Sequence, residues 1–310
     1  MKEGTAAAER DVTQVGGVTR LMEAVWAAAD VGATVRFLRD GFDFEQVDRV
    51  GEQVLLGAPG ADGGRIRVVP ADLSTGVAPG EQPAVWDAGP RLLGIYSRDL
   101  DATVSRLADL GAHTLPVVGY AYGAARMREA VAQGPDGVWW TIPQVPAPPM
   151  SPQPSPALAD ADRRHSELHS AVIVADDHAS AVRFFVEGGG MQVVFDGEMA
   201  GQAFEQLVGL PPGGTLRIAF LVGPDKAPGR IEVMSFPDHP GTLRVDEPLG
   251  IQSLVLGARD VSATRTRLLA AGGASDGTDP EVVIGPSGVR IVLVEDDVAG
   301  PARLPQATGA

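Results

Sequence analysis

Glu232 and His169 are the side chains in this sequence whose types and positions best suit proton chemistry. Glu232 lies in the apolar segment 229–235, a predicted strand on which Met234 shares its face and would also contact a substrate. A buried, unpaired carboxyl there would hold its proton tightly, which suits a general acid or base. An ion pair with an arginine, or a place in water at the rim, would instead make Glu232 structural. His169 is either an acid–base or anchoring residue, or a capped or exposed histidine beside His165.

His169 belongs to the clearest copy of a repeated local pattern. Residues 168–177 form an apolar, β-branched run that ends in Asp177, and residues 178–185 carry apolar side chains at helical spacing. This change of period predicts a strand, a tight turn and a helix with the aspartate as its N-cap. Three further copies close at Asp30, Asp99 and Asp260. Four copies of one unit indicate an architecture of repeated modules.

The start of this strand leaves one ambiguity. Neighbouring strand residues point to opposite faces, so His169 and Ser170 cannot both point into one pocket. Counting back from Asp177 favours Ser170, whereas counting back from Asp176 favours His169. Both remain candidates at this point, His169 as a catalytic residue and Ser170 as a substrate contact.

The overall composition excludes several classes of function. The chain has 310 residues and a net charge of −15, which disfavours binding to nucleic acid or to anionic membranes. The absence of cysteine excludes disulfides, thiolate zinc sites and cysteine nucleophiles. No apolar run reaches the roughly 18 residues of a membrane helix, and the first residues lack a signal-like core. We therefore expect a cytoplasmic protein whose partner is a small molecule.

Turns and prolines divide the chain into two halves of two modules each. Every module follows the order βαβββ, and the closing Gly-Pro-Asp-Gly turn at 134–137 has its counterpart, Gly-Pro-Ser-Gly, at 285–288. Residues 144–164 contain six prolines, which forbid a helix or a central strand and favour an extended linker. We therefore predict a first domain over residues 18–143 and a second over residues 165–297.

This arrangement resembles the vicinal oxygen chelate superfamily, the fold of glyoxalases, bleomycin resistance proteins and extradiol dioxygenases. The resemblance rests on the βαβββ modules, the strand–Asp–helix opening and the closing Gly-Pro-Asp/Ser-Gly hairpin, and it covers residues 19–296. It implies an α+β fold with four βαβββ modules in two tandem domains. Each domain would be a curled mixed sheet, or half-barrel, with helices outside and the ligand on the concave face. Family members often pair modules across subunits, so the resemblance also allows a homodimer.

Enzymes of this family typically hold a divalent metal with a His on the first strand and a Glu on the last strand of each paired module. In chain order, the matching positions are Met22 or Glu23 with Arg67, Arg91 or Leu92 with Thr141, His169 or Ser170 with Glu232, and Gln252 or Ser253 with Val292. Val292 cannot bind a metal, and Gln252 is a poor substitute for His. Two surviving ligands are too few for a stable site. We therefore expect no metal or other cofactor, which disfavours glyoxalase, epimerase and dioxygenase activities.

The same resemblance leaves a concave pocket with further candidate contacts for a substrate. Gln252 would orient the substrate. Glu23 and Arg67 would be either pocket groups or a structural ion pair that fills a vestigial pocket. Trp140 and Tyr96 could stack on a flat ligand, with core packing as the alternative.

Two functions are consistent with these features. The first is a metal-independent enzyme of natural-product metabolism, of isomerase, cyclase or lyase type, that acts on a medium-sized cyclic or aromatic molecule. Glu232 would transfer the proton in that enzyme, with His169 or Gln252 orienting the substrate. The second is a ligand-sequestering protein like the bleomycin resistance branch, which needs an aromatic pocket and no catalytic group. A dehydrated carboxyl beside a polar partner would favour the enzyme.

Overall fold

The computed structural model describes residues 17–73, 82–122, 125–145, 155–244 and 247–296. The centre of the predicted Pro-rich linker lies outside the described residues. Within the described part of the chain, no helix is both long enough and apolar enough to cross a membrane.

The four modules form the secondary structure in chain order. The first contains β1 (Val18–Ala28), α1 (Val31–Phe42), β2 (Glu45–Val50), β3 (Gln53–Gly57) and β4 (Arg65–Pro70). The second contains β5 (Gly89–Gly94), α2 (Leu100–Asp109), β6 (His113–Thr114), β7 (Val118–Tyr122), β8 (Ala125–Gln133) and β9 (Trp139–Pro143). The third contains β10 (Ser170–Val174), α3 (His178–Arg183), β11 (Gln192–Ala200), α4 (Gln202–Val208), β12 (Thr215–Val222) and β13 (Arg230–Ser235). The fourth contains β14 (Gly250–Ala258), α5 (Val261–Ala270), β15 (Ala274–Ser275), β16 (Val282–Ile284) and β17 (Arg290–Glu295).

The aspartate N-caps that define the modules are confirmed. In each module the Asp side chain accepts a hydrogen bond from the backbone N–H three residues later, as Asp177 does from Ser180 at 3.0 Å. The other three caps are Asp30, Asp99 and Asp260. An N-cap bond of this kind stabilises a helix by about 1 kcal/mol. Each cap ends the first strand and starts the helix at the same point of its module, so the four modules share one local geometry.

The fold is α+β, with two mixed sheets and few helices. One sheet has eight strands in the order β15-β16-β17-β14-β1-β4-β3-β2. The other has nine, in the order β11-β12-β13-β10-β5-β9-β8-β6, with β7 paired to β8. The βαβββ order holds in the first and fourth modules. The second module has one strand more, and the third inserts the helix α4.

The pairing of modules differs from the sequence-based prediction of one sheet in each half. The first and fourth modules share the eight-stranded sheet, and the second and third share the nine-stranded sheet. The first strands make both junctions, since β1 pairs antiparallel with β14 and β5 pairs antiparallel with β10. The sequence pattern of a module predicts the strands within that module. Because all four modules have similar first strands, the pattern does not show which two modules share a sheet. The domain boundaries at 18–143 and 165–297 stay a prediction.

The main hydrophobic core joins both sheets to the helices. Trp26 from β1 and Trp140 from β9 are fully buried there, with ring centroids 6.0 Å apart. Phe42 at the end of α1 packs 4.5 Å from Trp140, centroid to centroid. Trp140 is therefore a core residue and not part of a ligand pocket. Of the two interpretations given above, ligand stacking and core packing, the structure shows core packing.

Candidate active site

A cavity of about 430 Å³ lies on the nine-stranded sheet, across the junction of β5 and β10. Strands of the second and third modules form its floor, and residues of α4 contribute to its wall. Its lining is mostly apolar and aromatic, including Phe195, Phe204, Leu207, Leu216 and Phe220. This volume and lining are typical of a site for a small organic ligand.

Glu129 is the carboxyl of this cavity whose pKa is raised. It lies on β8 between Met127 and Val131, which also line the cavity. Its two carboxyl oxygens accept hydrogen bonds from the hydroxyls of Tyr120 and Thr141. Burial raises the pKa of Glu129, and nearby negative charge raises it further, while the two hydroxyl hydrogen bonds offset part of the effect. Glu129 can therefore donate a proton into the cavity.

Glu232 is the second carboxyl of the cavity, and it forms an ion pair. Arg230, two residues earlier on the same face of β13, places its Nε 2.7 Å and a terminal nitrogen 2.6 Å from one Glu232 oxygen. Burial alone would lower the pKa of Arg230, but the Glu232 carboxylate outweighs it, and the pKa is raised. The guanidinium also lies 4.2 Å from the centroid of the Phe220 ring. Glu232 therefore forms an ion pair with an arginine, one of the alternatives expected from the sequence, and this pair lies inside the cavity.

His169 presents an unpartnered imidazole to the same cavity. Its side chain is buried, and among the residues that the structure describes neither ring nitrogen has a hydrogen-bond partner. The ring stacks on Tyr96 with centroids 4.0 Å apart and an interplanar angle of 19°. Burial lowers the pKa of His169 well below its ordinary value, and the Arg230 charge acts in the same direction. The neutral ring offers one donor and one acceptor to a ligand.

Of His169 and Ser170, the structure places His169 in the lining of the cavity. The strand β10 begins at Ser170, and His169 immediately precedes it, with its backbone N–H bonded to the Gly94 oxygen at 2.9 Å. Ser170 is buried but does not line the cavity, and its hydroxyl packs against Gly94. A Cβ at Gly94 would lie 2.0 Å from that oxygen and 3.0 Å from the His169 ring. Only glycine fits this approach of β5 to β10.

Four of the sequence-predicted site residues meet in the cavity. They are Glu232, His169, Met234 and Tyr96. The Tyr96 hydroxyl lies 3.4 Å from a terminal nitrogen of Arg230, so it connects the stacked histidine to the ion pair. Tyr96 follows β5 in the second module, whereas the other three lie in the third module, with His169 directly before β10 and both Glu232 and Met234 on β13.

Three other predicted residues lie on the eight-stranded sheet, away from this cavity. Arg67 donates to both oxygens of Glu23, at 2.5 and 2.9 Å, which confirms the ion pair between them. Gln252 lines a smaller, polar cavity, and its amide donates to the backbone oxygens of Glu247 and Gly250 at 2.9 and 3.4 Å. The expected placement of Gln252 beside Glu232 is therefore not found, because the third and fourth modules belong to different sheets.

Sequence reasoning did not identify Glu129 or Tyr120 as site residues, and it considered Thr141 only as a metal-ligand position. The available signal was the alternation of Met127, Glu129 and Val131, which places three side chains on one face of a strand. Arg230 was also visible, since residues two apart on a strand share a face and it precedes Glu232 by two.

The residues at the metal-ligand positions implied by the family do not fit a divalent metal. On the nine-stranded sheet these positions hold Leu92, Thr141, His169 and Glu232. Leu92 has no donor atom, Thr141 is bonded to Glu129, and Arg230 places a positive charge where a cation would have to approach Glu232. Within the described ranges, no three or more His, Cys, Asp or Glu side chains are grouped so that they could hold a metal ion.

Comparison with known proteins agrees with the architecture. Residues 20–142 match the model of the Glyoxalase/Bleomycin resistance protein/Dioxygenase superfamily. The structure is similar to glyoxalase I from Zea mays, with a TM-score of 0.60 and 15% identity over 89% of this chain and 92% of that chain. It is also similar to a putative dioxygenase from Bacillus subtilis, with a TM-score of 0.53 and 10% identity over 91% and 86% of the two chains. No curated protein matched the chain. At these identities the solved structures show the fold alone. Residues 20–142 thus match the glyoxalase/bleomycin resistance protein/dioxygenase superfamily, and the chain as a whole shares its fold with the solved structures of glyoxalase I and the putative dioxygenase.

Proposed function

We propose that this protein is a metal-independent enzyme that performs acid–base chemistry on a medium-sized, largely apolar cyclic or aromatic molecule. The observation that carries the proposal is a pair of carboxyls in one cavity, the half-buried Glu129 and the buried Glu232. Burial raises the pKa of Glu129, whereas Glu232 forms an ion pair with Arg230. Environments that separate two carboxyls in this way supply an acid and a base at the same pH.

The roles follow from these protonation states. The Glu232 carboxylate removes a proton from a carbon next to a substrate carbonyl, and Glu129 donates its proton to the carbonyl oxygen. The electron pair of the broken C–H bond forms the C=C bond of an enol. Return of a proton to a different carbon completes an isomerisation, and expulsion of a leaving group would complete an elimination. Neither outcome needs an oxidant or reductant.

His169 and Arg230 orient the substrate in this proposal. The neutral imidazole has an unused donor and acceptor for the polar group of the substrate, and the Tyr96 ring holds the imidazole plane in place. Arg230 stabilises negative charge that develops beside Glu232. The proposal extends to a cytoplasmic enzyme of natural-product metabolism that is able to form a homodimer.

Ligand sequestration without catalysis is the second candidate, and the aromatic wall favours it. Phe195 and Phe220 lie with ring centroids 5.2 Å apart, and Tyr120 lies 4.8 Å from Phe204. Such rings could hold a flat molecule by stacking alone. In that case the carboxyls would only set the polarity of the cavity.

Hydrogen exchange in D₂O separates these functions without knowledge of the net reaction. The protein, dialysed against EDTA, is incubated with a panel of cyclic ketones and aromatic acids, and NMR follows deuterium entry at carbons next to carbonyls. We expect exchange on a subset of compounds, its loss in Glu232→Gln and its slowing in Glu129→Gln. Glu23→Gln is the matched control, since Glu23 also pairs with an arginine on a sheet but outside the cavity.

Other outcomes would count against the proposal. Binding of panel compounds without exchange would favour sequestration. Exchange that disappears with EDTA and returns with a divalent metal would overturn metal independence. Equal loss in Glu23→Gln would show that the cavity carboxyls have no special role.

A further inference from the structure

Lys226 lines the same cavity from an exposed position in the loop between β12 and β13. It is one of only two lysines in the chain, the other being Lys2. An exposed residue that also lines a cavity lies at its mouth. Lys226 therefore brings a basic residue to the mouth of this cavity.

The inner end of the cavity supplies no charge to balance Lys226. The raised pKa of Glu129 and the lowered pKa of His169 both favour the neutral forms, and Glu232 forms its ion pair with Arg230. Near the mouth, the neighbouring Asp225 pairs with Arg259. Among the residues that the structure describes, none forms an ion pair with Lys226. The cavity with its mouth thus has one unbalanced positive charge, in a chain whose net charge is −15.

The backbone at Lys226 is in a conformation that favours glycine. Its φ is +54°, and its N–H donates to the Gly223 oxygen at 2.9 Å. A side chain in this left-handed region costs free energy that glycine would not. Because the ammonium gains no ion pair within the described residues, a structural role does not account for lysine here. Strain of this kind at the edge of a cavity is typical of a residue that serves a ligand.

We propose that Lys226 binds the anionic group of the substrate, so that the substrates are amphipathic organic anions. The flat apolar body would lie against the aromatic wall, the reacting carbonyl at the Glu129 end, and a carboxylate or similar anion at the mouth. This inference rests on the proposed function, since it assumes that the cavity binds a small molecule.

Two fluorescent probes that differ by one anionic group test this inference. 1-Anilinonaphthalene-8-sulfonate is a flat aromatic anion, and N-phenyl-1-naphthylamine is the same ring system without the sulfonate. We expect the protein to bind the anion more tightly, by roughly threefold to fivefold, as one partly exposed charge pair allows. Lys226→Gln should remove this preference and leave affinity for the neutral probe unchanged. Lys226→Arg should keep it, and Lys2→Gln, which removes the same charge elsewhere, should keep it as well.

Lys226→Gly adds a readout that a structural lysine would not give. Glycine relieves the backbone strain, so the melting temperature should rise while the preference for the anion is lost. A fall in melting temperature with the preference retained would overturn the proposal. Equal binding of both probes by the unchanged protein would overturn the role of Lys226 while leaving the cavity as a ligand site. If neither probe binds, the inference and the proposed function both fail.

Discussion

Replacing Arg230 by methionine tests whether the cavity depends on its buried ion pair. The variant leaves Glu232, which is 4% exposed, without the two nitrogens that lie 2.7 and 2.6 Å from its oxygen. Removing one partner of a buried pair costs about 3–5 kcal/mol, because the remaining charge is uncompensated. The double variant Arg230→Met/Glu232→Gln has no such charge, and we expect it to recover most of that loss.

The assay is urea unfolding of the unchanged protein, both single variants and the double variant, which together form a double-mutant cycle. We expect a coupling free energy of at least about 2 kcal/mol at pH 7. The matched cycle on Glu23 and Arg67 should give about 1 kcal/mol or less, because the Arg67 side chain is 31% exposed whereas that of Arg230 is 12% exposed. A coupling near zero for Arg230 and Glu232 would refute the reasoning, since it would mean that water already screens this pair.

Three further predictions concern pH and the core. Burial raises the pKa of Glu129 and of Glu167. In the pH range where only the folded carboxyl is protonated, the free energy of unfolding should therefore fall by about 1.4 kcal/mol per unit as pH rises, for each group. Glu129→Gln and Glu167→Gln should each remove one such slope from urea titrations at a series of pH values, and an unchanged slope would contradict this. Burial alone would raise the pKa of Asp43, but hydrogen bonds from His165 and an arginine lower the pKa to about 2. The ionised Asp43 therefore stabilises the folded protein at pH values above the pKa of the unfolded state, and this contribution is lost as pH falls towards the folded-state pKa. Asp43→Asn should therefore destabilise the protein by about 1–2 kcal/mol at pH 7 and by less near pH 3, by the same titrations. Trp140→Ala should cost about 3–5 kcal/mol in urea unfolding and leave neutral-probe affinity unchanged, because Trp140 lies in the core.

The modules could be predicted because their signals are local. An aspartate that ends a strand and caps a helix involves residues three apart, and all four caps formed as expected, Asp30 and Asp260 among them. The pairing of modules could not be predicted from such local signals. It depends on contacts between β1 and β14, which lie more than two hundred residues apart in the chain. The first strands of the other modules have similar sequences and could make similar contacts.

The candidate site was predictable where a residue's position followed from its own strand. Glu232 and Met234 share a face, and both line the cavity. Which face of a strand points towards the ligand depends on how the neighbouring strand packs. The alternation of side chains in the sequence defines two faces but does not say which of them lines the cavity. Trp140 therefore lies in the core, whereas Trp139 belongs to the apolar cluster beside the cavity. The raised pKa of Glu129 could not be predicted from the sequence, because it depends on burial in the folded protein and on the nearby Glu232, which belongs to a different module.

The protonation state of Glu129 tests the central claim most directly. Infrared difference spectroscopy of the unchanged protein against Glu129→Gln at pH 7 would show it. We predict the C=O stretch of a protonated carboxylic acid, shifted in D₂O and absent from the variant, because burial raises the pKa of Glu129. A difference spectrum with only the bands of an ionised carboxylate would contradict the account, since the cavity would then contain no acid to pair with the Glu232 base.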